Sequence, residues 1–103
     1  MNFNHFLTSY MPDKSIGSKI HFENMIEESK FAEEFGFSTV SIPEHHLINL
    51  LMMPSPLQMA VKIASVTNKI KITTGIVVLP IHDMRTYAGE VSTADILTDG
   101  RLI

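Results

Sequence analysis

At the centre of this chain is the stretch Ser38-Thr39-Val40-Ser41-Ile42-Pro43-Glu44-His45-His46. Its first five residues form a short run typical of a β-strand, and Pro43 begins an irregular segment. A carboxylate and two adjacent imidazoles directly after a strand suit a hydrophobic core poorly, but they suit a site on a rigid edge. We therefore predict a strand over residues 38–42 with a functional site at its carboxyl end.

Before and after this stretch, strand and helix patterns alternate. Gly36 ends the first helix pattern in the manner of a left-handed cap, and Ser55 followed by Pro56 begins the second. Apolar residues at helical spacing precede Gly36 and follow Pro56, and the run from Ile70 to Leu79 is the strongest strand signal. The predicted elements are strands at 3–8, 38–42 and 70–79, helices at 18–35, 56–68 and 85–97, and the start of a further strand at 101–103.

This alternation predicts an α/β fold with a parallel sheet and right-handed crossovers. We see no linker or internal boundary, so residues 1–103 are interpreted as one unit. In a parallel sheet the loops at 9–17, 43–55 and 80–84 emerge at the same edge, where α/β proteins build their sites. The polar side chains expected to converge there are Tyr10, Glu44, His45, His46 and His82.

Two helical faces carry more specific expectations. The acids of the first helix, namely Glu23, Glu27, Glu28, Glu33 and Glu34, are interpreted as a solvated face. In the third helix the apolar face is predicted to consist of Ala88, Val91, Ala94 and Leu97.

The composition excludes several classes of protein. The net charge is −3 and the chain contains no cysteine, so nothing favours nucleic acid, an anionic membrane, a disulfide framework or a thiolate zinc site. No apolar run approaches the roughly 20 residues of a membrane helix, and the N-terminus lacks the pattern of a secretion signal. We expect a cytoplasmic protein with 45% hydrophobic residues, enough for a small core.

Three roles remain open for His45 and His46. They could provide a general acid or base near neutral pH, or make structural hydrogen bonds within the loop. They could also join Glu44, His82 and Asp83 around a metal ion. Adjacent residues point in different directions and a catalytic zinc site needs three well-spaced ligands, so we assign no metal ligand from the sequence.

Gly75 interrupts an otherwise β-branched strand, and two explanations stay open. The strand could bulge or pack closely there, or a flat ligand could require the missing side chain. The chain contains no glycine-rich dinucleotide motif, no Walker loop and no serine nucleophile elbow, so none of those sites is indicated.

Several short pieces together carry a family resemblance. They are Phe6-Leu-Thr-Ser-Tyr10, Ala32-Glu-Glu-Phe-Gly-Phe37, Pro43-Glu-His-His46, Pro54-Ser-Pro56, Thr74-Gly-Ile-Val-Val-Leu-Pro80 and Ala94-Asp-Ile-Leu-Thr-Asp-Gly-Arg-Leu102. In this order and at these intervals, the chain resembles the N-terminal part of the bacterial luciferase-like flavin monooxygenases. The resemblance implies part of a TIM (β/α)8 barrel and insertion of one oxygen atom from O2 into a small organic or aldehyde-type substrate. It implies reduced FMN, delivered by a separate flavin reductase, as the cofactor, with deazaflavin used in one branch of the family.

The resemblance also implies roles for individual positions. His45 would be the catalytic acid or base beside the flavin. Glu44, His46 and Tyr10 would line the substrate and flavin pocket. Thr74, Gly75 and Ile76 would contact the cofactor, with a non-proline cis peptide between Gly75 and Ile76.

Two departures limit the resemblance. Met84 follows His82-Asp83 where many relatives have proline. A complete barrel takes roughly 250 residues, so we expect the N-terminal half of a barrel, incomplete in this chain, with most flavin-phosphate contacts absent. A chain of this kind is expected to be inactive alone.

An uncovered half-barrel is also expected to self-associate. In luciferase the second and third helices form the dimer contact, so we predict a homo-oligomer through helices 56–68 and 85–97. Ala60 with Ala64, and Gly89 with Thr93, would then allow close helix approach, or these small residues simply pack on the barrel. Two alternatives from other classes are a metal-dependent hydrolase on a TIM-type barrel and a non-catalytic oligomerisation module.

Overall fold

The computed structural model describes residues 1–103 and confirms the predicted alternation of strands and helices. The sheet has the order β1-β2-β3, and each strand runs parallel to its neighbour. The strands are β1 (Asn4–Phe6), β2 (Thr39–Ile42) and β3 (Lys71–Thr74), and the helices are α1 (Ser18–Glu34), α2 (Pro56–Ala64) and α3 (Met84–Leu97). Short 3₁₀ turns lie at Lys14–Ile16 and Leu79–Ile81.

The third strand is shorter than predicted. Pairing with β2 ends where the amide of Gly75 donates to the Ile42 carbonyl at 2.7 Å, and the Gly75–Ile76 peptide bond is cis. The amide of Val78 then donates to the carboxylate of Glu44 at 2.8 Å instead of to a strand carbonyl. Residues 76–78 therefore belong to a loop and Leu79 begins a 3₁₀ turn, so the prediction of a strand to residue 79 is wrong.

The second helix also ends early, at Ala64 rather than near residue 68. The guanidinium of Arg101 donates to the Ala64 carbonyl at 2.6 Å and to the Thr67 hydroxyl at 3.0 Å. Thr67 in turn donates to the Ile63 carbonyl. These side chains satisfy the end of α2 and direct the following residues into the turn before β3.

The predicted start of a further strand is confirmed. The amide of Ile72 donates to the Arg101 carbonyl, and the amide of Ile103 donates to the Ile72 carbonyl, both at 2.8 Å. Leu102 accordingly forms a parallel bridge with Ile72. The sheet therefore continues beyond β3 in the same parallel sense.

The core lies between one face of the sheet and the helices. Val40 and Ile72 share a register row, and both are fully buried. Leu7, Ile42 and Ile63 complete the centre of the cluster. Burying each such side chain contributes about 1.5–3 kcal/mol, so this layer holds the helices on the sheet.

The opposite face of the sheet has no helix over it. Two register rows lie on this face, Asn4 with Thr39 and Lys71, and Phe6 with Ser41 and Thr73. Phe6, at the end of the edge strand β1, is 55% exposed. The uncovered face therefore carries mainly polar side chains and one aromatic ring.

Small residues of α2 pack inward. Ala60 and Ala64 are both buried in the core cluster, so packing on the sheet, the second of the two alternatives, is confirmed for them. Gly89 and Thr93 of α3 remain exposed. Close helix approach between copies through Ala60 and Ala64 is therefore wrong.

The buried face of α3 also differs from the prediction. Its buried residues are Tyr87 and Ala94, whereas Ala88 and Leu97 are exposed. The buried face of α3 includes Tyr87 in place of Ala88, and the ring of Tyr87 packs against that of His82, with ring centroids 4.3 Å apart.

One acid of α1 has a structural role. The carboxylate of Glu33 accepts hydrogen bonds from the amides of Asn68, Lys69 and Ile70 at 2.7–3.0 Å. Burial acts to raise the pKa of Glu33, but the three amide bonds outweigh it and hold the pKa below its ordinary value. Interpreting Glu33 as part of a solvated face is wrong, because it ties α1 to the turn before β3.

None of the helices combines the length and the apolar character needed to cross a membrane.

We expect Glu33→Gln to lower the free energy of unfolding by about 1–2 kcal/mol at pH 7, because charge-assisted bonds to three amides are weakened. Glu34→Gln, a change at the exposed neighbouring acid, should cost no more than about 0.5 kcal/mol. Urea denaturation followed by circular dichroism measures both.

The pH dependence gives a second check on Glu33. Because its folded-state pKa is lowered, the stabilisation is complete above the unfolded-state pKa of about 4.3 and is lost as the pH falls through the folded-state value. The stabilities of the wild type and Glu33→Gln should therefore converge in acid. A difference that stays constant down to pH 2 would contradict this assignment.

Candidate functional site

The loops after β1 and β2 are joined by backbone hydrogen bonds. The amide of Met52 donates to the Ser9 carbonyl at 2.9 Å, and the amide of Met11 donates to the Leu50 carbonyl at 2.8 Å. Tyr10 and Leu51 form an antiparallel bridge between them. This places the two loops together at the carboxyl edge of the sheet, as the parallel topology predicts.

Glu44 is the centre of the polar cluster at this edge. Its side chain has no exposed surface. Oε1 accepts from Nε2 of His46 at 2.7 Å and from Nε2 of His82 at 2.6 Å, while Oε2 accepts from the amide of Val78 at 2.8 Å. Because an ionised carboxylate offers only acceptors, both imidazoles carry a proton on Nε2. One carboxylate thus connects the loops that follow β2 and β3.

The charge state of Glu44 follows from these contacts. Burial acts to raise the pKa of the carboxyl group. The hydrogen bonds from His46, the Val78 amide and His82, together with the charge of His82, outweigh burial and hold the pKa of Glu44 below its ordinary value. Glu44 is therefore ionised at neutral pH and serves as an acceptor that orients its neighbours.

Tyr87 extends the cluster beneath His82. The two rings are tilted by 31°, and the tyrosine is only 6% exposed. Its hydroxyl is buried without a hydrogen-bond partner. Burial, followed by the charges of Glu44 and Glu90, raises the pKa of Tyr87, so the phenol stays neutral at physiological pH.

Sequence reasoning did not include Tyr87 among the site residues. The signal was available, because Tyr87, Val91 and Ala94 recur at helical spacing and follow closely after His82. His82 was expected at this edge, but only as a possible metal ligand.

His45 lies apart from the hydrogen-bonded cluster. Its amide donates to the Met53 carbonyl at 2.8 Å, which fixes the backbone. The polar contacts of Glu44 go to the other two histidines, and the half-buried ring of His45 lines a shallow cavity of ≈ 390 Å³ within the loop. That cavity is otherwise lined by Leu47, Ile48, Asn49, Leu51, Met52 and Pro54. The imidazole of His45 is thus uncommitted and available to a ligand.

The other predicted positions lie along the same edge. Tyr10 is 54% exposed, and Ile76 projects outward just after Gly75. A Cβ atom added at Gly75 would lie 3.4 Å from Cβ of Ser41 and 3.6 Å from the Phe6 ring. These are ordinary van der Waals distances, so close packing does not itself require glycine here. The cis peptide implied by the resemblance is present at Gly75–Ile76.

Polar side chains at the carboxyl edge of a parallel sheet are the arrangement in which α/β folds, the (β/α)8 barrels among them, build their sites. The fold is shared by the oxygenating constituent of 3,6-diketocamphane monooxygenase from Pseudomonas putida, whose structure was solved with FMN. The TM-score is 0.91 with 20% sequence identity, over 100% of this chain and 28% of that chain. The predicted fold class, part of a TIM barrel, is confirmed.

The sequence comparisons identify the family. The model for luciferase-like monooxygenases matches residues 1–103. The oxygenase component of the flavin-dependent trigonelline monooxygenase from Acinetobacter baylyi is 32% identical over 79% of this chain and 22% of its own length. The alkanal monooxygenase alpha chain of Photorhabdus laumondii is 27% identical over 98% of this chain and 28% of its own length. This chain belongs to the luciferase-like monooxygenase family and spans about a quarter of the length of these relatives.

We expect Glu44→Gln to destabilise the chain by about 2–3 kcal/mol at pH 7. The amide offers one acceptor and one donor, so either the Val78 amide or the two imidazole N–H groups face a donor in a buried position. The matched change His45→Gln, at the neighbouring side chain outside the cluster, should cost less than about 1 kcal/mol. Urea denaturation of the two variants measures the difference.

The lowered pKa of Glu44 fixes the sense of the pH dependence. Its stabilisation is complete above the unfolded-state pKa of about 4.3 and disappears as the pH falls through the folded-state value. If Glu44→Gln and His45→Gln lowered the free energy of unfolding equally, the carboxylate would not hold the loops. The same conclusion would follow if the destabilisation by Glu44→Gln became larger as the pH fell.

Proposed function

We propose that this chain forms part of the active site of a flavin-dependent monooxygenase. The enzyme inserts one oxygen atom from O2 into a small organic or aldehyde-type substrate and uses reduced FMN supplied by a separate flavin reductase. Membership of the luciferase-like monooxygenase family supports the reaction class, and the trigonelline relative is named as an oxygenase component. One observation carries the proposal. The imidazole of His45, which makes no hydrogen bond, lies at the same edge of the sheet as Gly75, where the backbone has no side chain to block a flat ligand.

The residues at the end of β3 fit the ring system of a flavin. A flat, largely apolar ring needs a surface without projecting side chains, and Gly75 beside the exposed ring of Phe6 offers one. A larger side chain at Gly75 would project over Phe6 and fill this space. Thr74 and Ile76, on either side of Gly75, are the further proposed ring contacts. A deazaflavin has the same shape, so this wall accepts either cofactor, and we propose FMN from the FMN complex of the structural neighbour.

The cations near this edge are already engaged. Lys14 donates to the Met11 carbonyl at 2.8 Å, and the guanidinium of Arg85 is held by Asp83 through bonds of 2.6 and 3.0 Å. The loops at 43–55 and 75–84 contain no lysine or arginine. We therefore propose that this chain contacts the flavin ring and contributes little to binding of the phosphate.

His45 is proposed as the catalytic acid or base. Reduced flavin supplies the electrons that activate O2. The free ring nitrogens of His45 can take up or deliver a proton at the reacting ligand. Glu44 holds His46 and the following loop in place, while Tyr10 and the apolar residues of the loop cavity provide the surface for the substrate.

We expect saturable binding of FMN by the wild-type chain in a fluorescence titration, and similar affinity for riboflavin, because the contacts fall on the ring. Gly75→Val should weaken both by about tenfold or more, since its methyl groups occupy the proposed ring surface. Gly89→Ala, at an exposed helical glycine with open space around it, serves as the control and should leave binding unchanged.

The role of His45 separates binding from chemistry. His45→Ala should retain the flavin affinity of this chain within about twofold but, in the complete enzyme, should lower oxygenation turnover by about 100-fold, a typical contribution of a positioned acid or base. FMN binding much tighter than riboflavin binding would contradict the ring-only assignment. For the second prediction, unchanged turnover of the complete enzyme carrying His45→Ala would contradict the acid–base role.

We further propose that the chain forms a homo-oligomer through α3. Gly89 and Thr93 remain exposed there, and Ile96 and Leu97 are 72% and 58% exposed. Ile96→Glu should then shift gel-filtration elution to monomer size, whereas Ile20→Glu, at an exposed position of α1, should not. A wild-type chain that elutes as a compact monomer would contradict this proposal.

A further inference from the structure

We propose that Glu44, His46 and His82 form a binding site for a divalent first-row transition cation such as Zn²⁺. One oxygen of Glu44 and one ring nitrogen of each histidine all lie within 4.8 Å of one another. The three side chains come from two loops that are distant in sequence, so the fold itself creates the juxtaposition. This site is independent of flavin, and its failure would leave the proposed monooxygenase function untouched.

The donor set selects the class of ion. Two imidazoles and one carboxylate are a ligand set found in zinc enzymes, where they leave a position open for water or substrate. Magnesium and calcium prefer sites built mainly from oxygen ligands. The structure therefore points to zinc, cobalt or nickel rather than to either of these hard cations.

The ligands are held by neighbouring groups. Oε2 of Glu44 is fixed by the Val78 amide, which leaves Oε1 directed at both imidazoles. The ring of His82 packs against Tyr87, which limits its rotation. Contacts of this kind restrict the orientations of the ligand side chains, so less conformational freedom is lost when an ion binds.

An ion can reach the site with a small local adjustment. The side chain of Glu44 is fully buried, but those of His46 and His82 are 32% and 22% exposed. Zinc–ligand bonds of about 2.0–2.1 Å imply ligand separations of about 3.3 Å. The oxygen–nitrogen distances of 2.6 and 2.7 Å must therefore open by roughly 0.6–0.7 Å, and each imidazole must carry its proton on Nδ1.

Two of the residues that the sequence offered as metal ligands, His45 and Asp83, lie outside the proposed site. His45 adjoins both Glu44 and His46 in sequence, but it is not part of the three-residue group. The carboxylate of Asp83 is engaged by Arg85. His45 therefore provides a matched control, because it is a neighbouring histidine that should not contribute to binding of the ion.

The test is isothermal titration of Zn²⁺ into the tag-free chain without flavin. We expect one ion per chain, with His46→Ala and His82→Ala each weakening binding by at least about tenfold, because one of three ligands is lost. His45→Ala should bind within about twofold of the wild type. The absorption spectrum of the Co²⁺ form should show the intense visible bands of a four-coordinate site.

A second measurement guards against misfolded variants. Zn²⁺ should raise the Tm of the wild type and of His45→Ala, and it should leave the Tm of His82→Asn, which keeps a polar side chain at this position, unchanged. The proposal is overturned if the wild type shows no saturable binding, if His45→Ala loses as much affinity as the other two variants, or if His46→Ala and His82→Ala both keep the affinity of the wild type.

Discussion

The buried carboxylate of Glu44 is the constraint on which the site depends. A charge without exposed surface is costly unless hydrogen-bond donors surround it, and each donor must then be brought to it by the chain. Those donors are His46 from its own loop, and Val78 and His82 from the loop after β3. The Val78 amide therefore bonds to the carboxylate of Glu44 and not to a neighbouring strand. Glu44 thus influences both where β3 ends and how the site is shaped.

A second carboxylate, that of Glu33, binds backbone amides at the opposite end of β3. Glu33 accepts the amides of residues 68–70 just before β3, while Glu44 accepts an amide just after it. The four residues Lys71–Thr74 are therefore held between two anionic acceptors that belong to different layers, one on a helix and one on a loop. Arg101 adds a cationic counterpart at the end of α2, where it donates to the Ala64 carbonyl. Polar side chains, as much as apolar packing, set where the elements begin and end.

The sequence predicted the order of the elements, the parallel sheet and the meeting of the loops at one edge, because apolar periodicity and a proline at the start of α2 are local signals. The end of the third strand could not be predicted this way. The run from Ile76 to Leu79 has the composition of a buried strand, and only the distant Glu44 shows that its backbone bonds elsewhere. The same limit applies to Glu33, whose partners lie more than thirty residues away. Periodicity reports which side of an element is buried, but not which remote donor a carboxylate meets.

The antiparallel pairing of residues 9–11 with residues 50–52 restricts how the lengths of these two loops can change. The backbone bonds at Ser9, Met11, Leu50 and Met52 make the two loops a single ribbon, and the amide of His45 is bonded to Met53 directly beside it. Inserting or deleting a residue in either loop would shift the register of this ribbon and move the imidazole with it. Evolution can therefore reshape the mouth of the cavity by exchanging side chains, but a change in the length of one loop must be matched by a compensating change in the other.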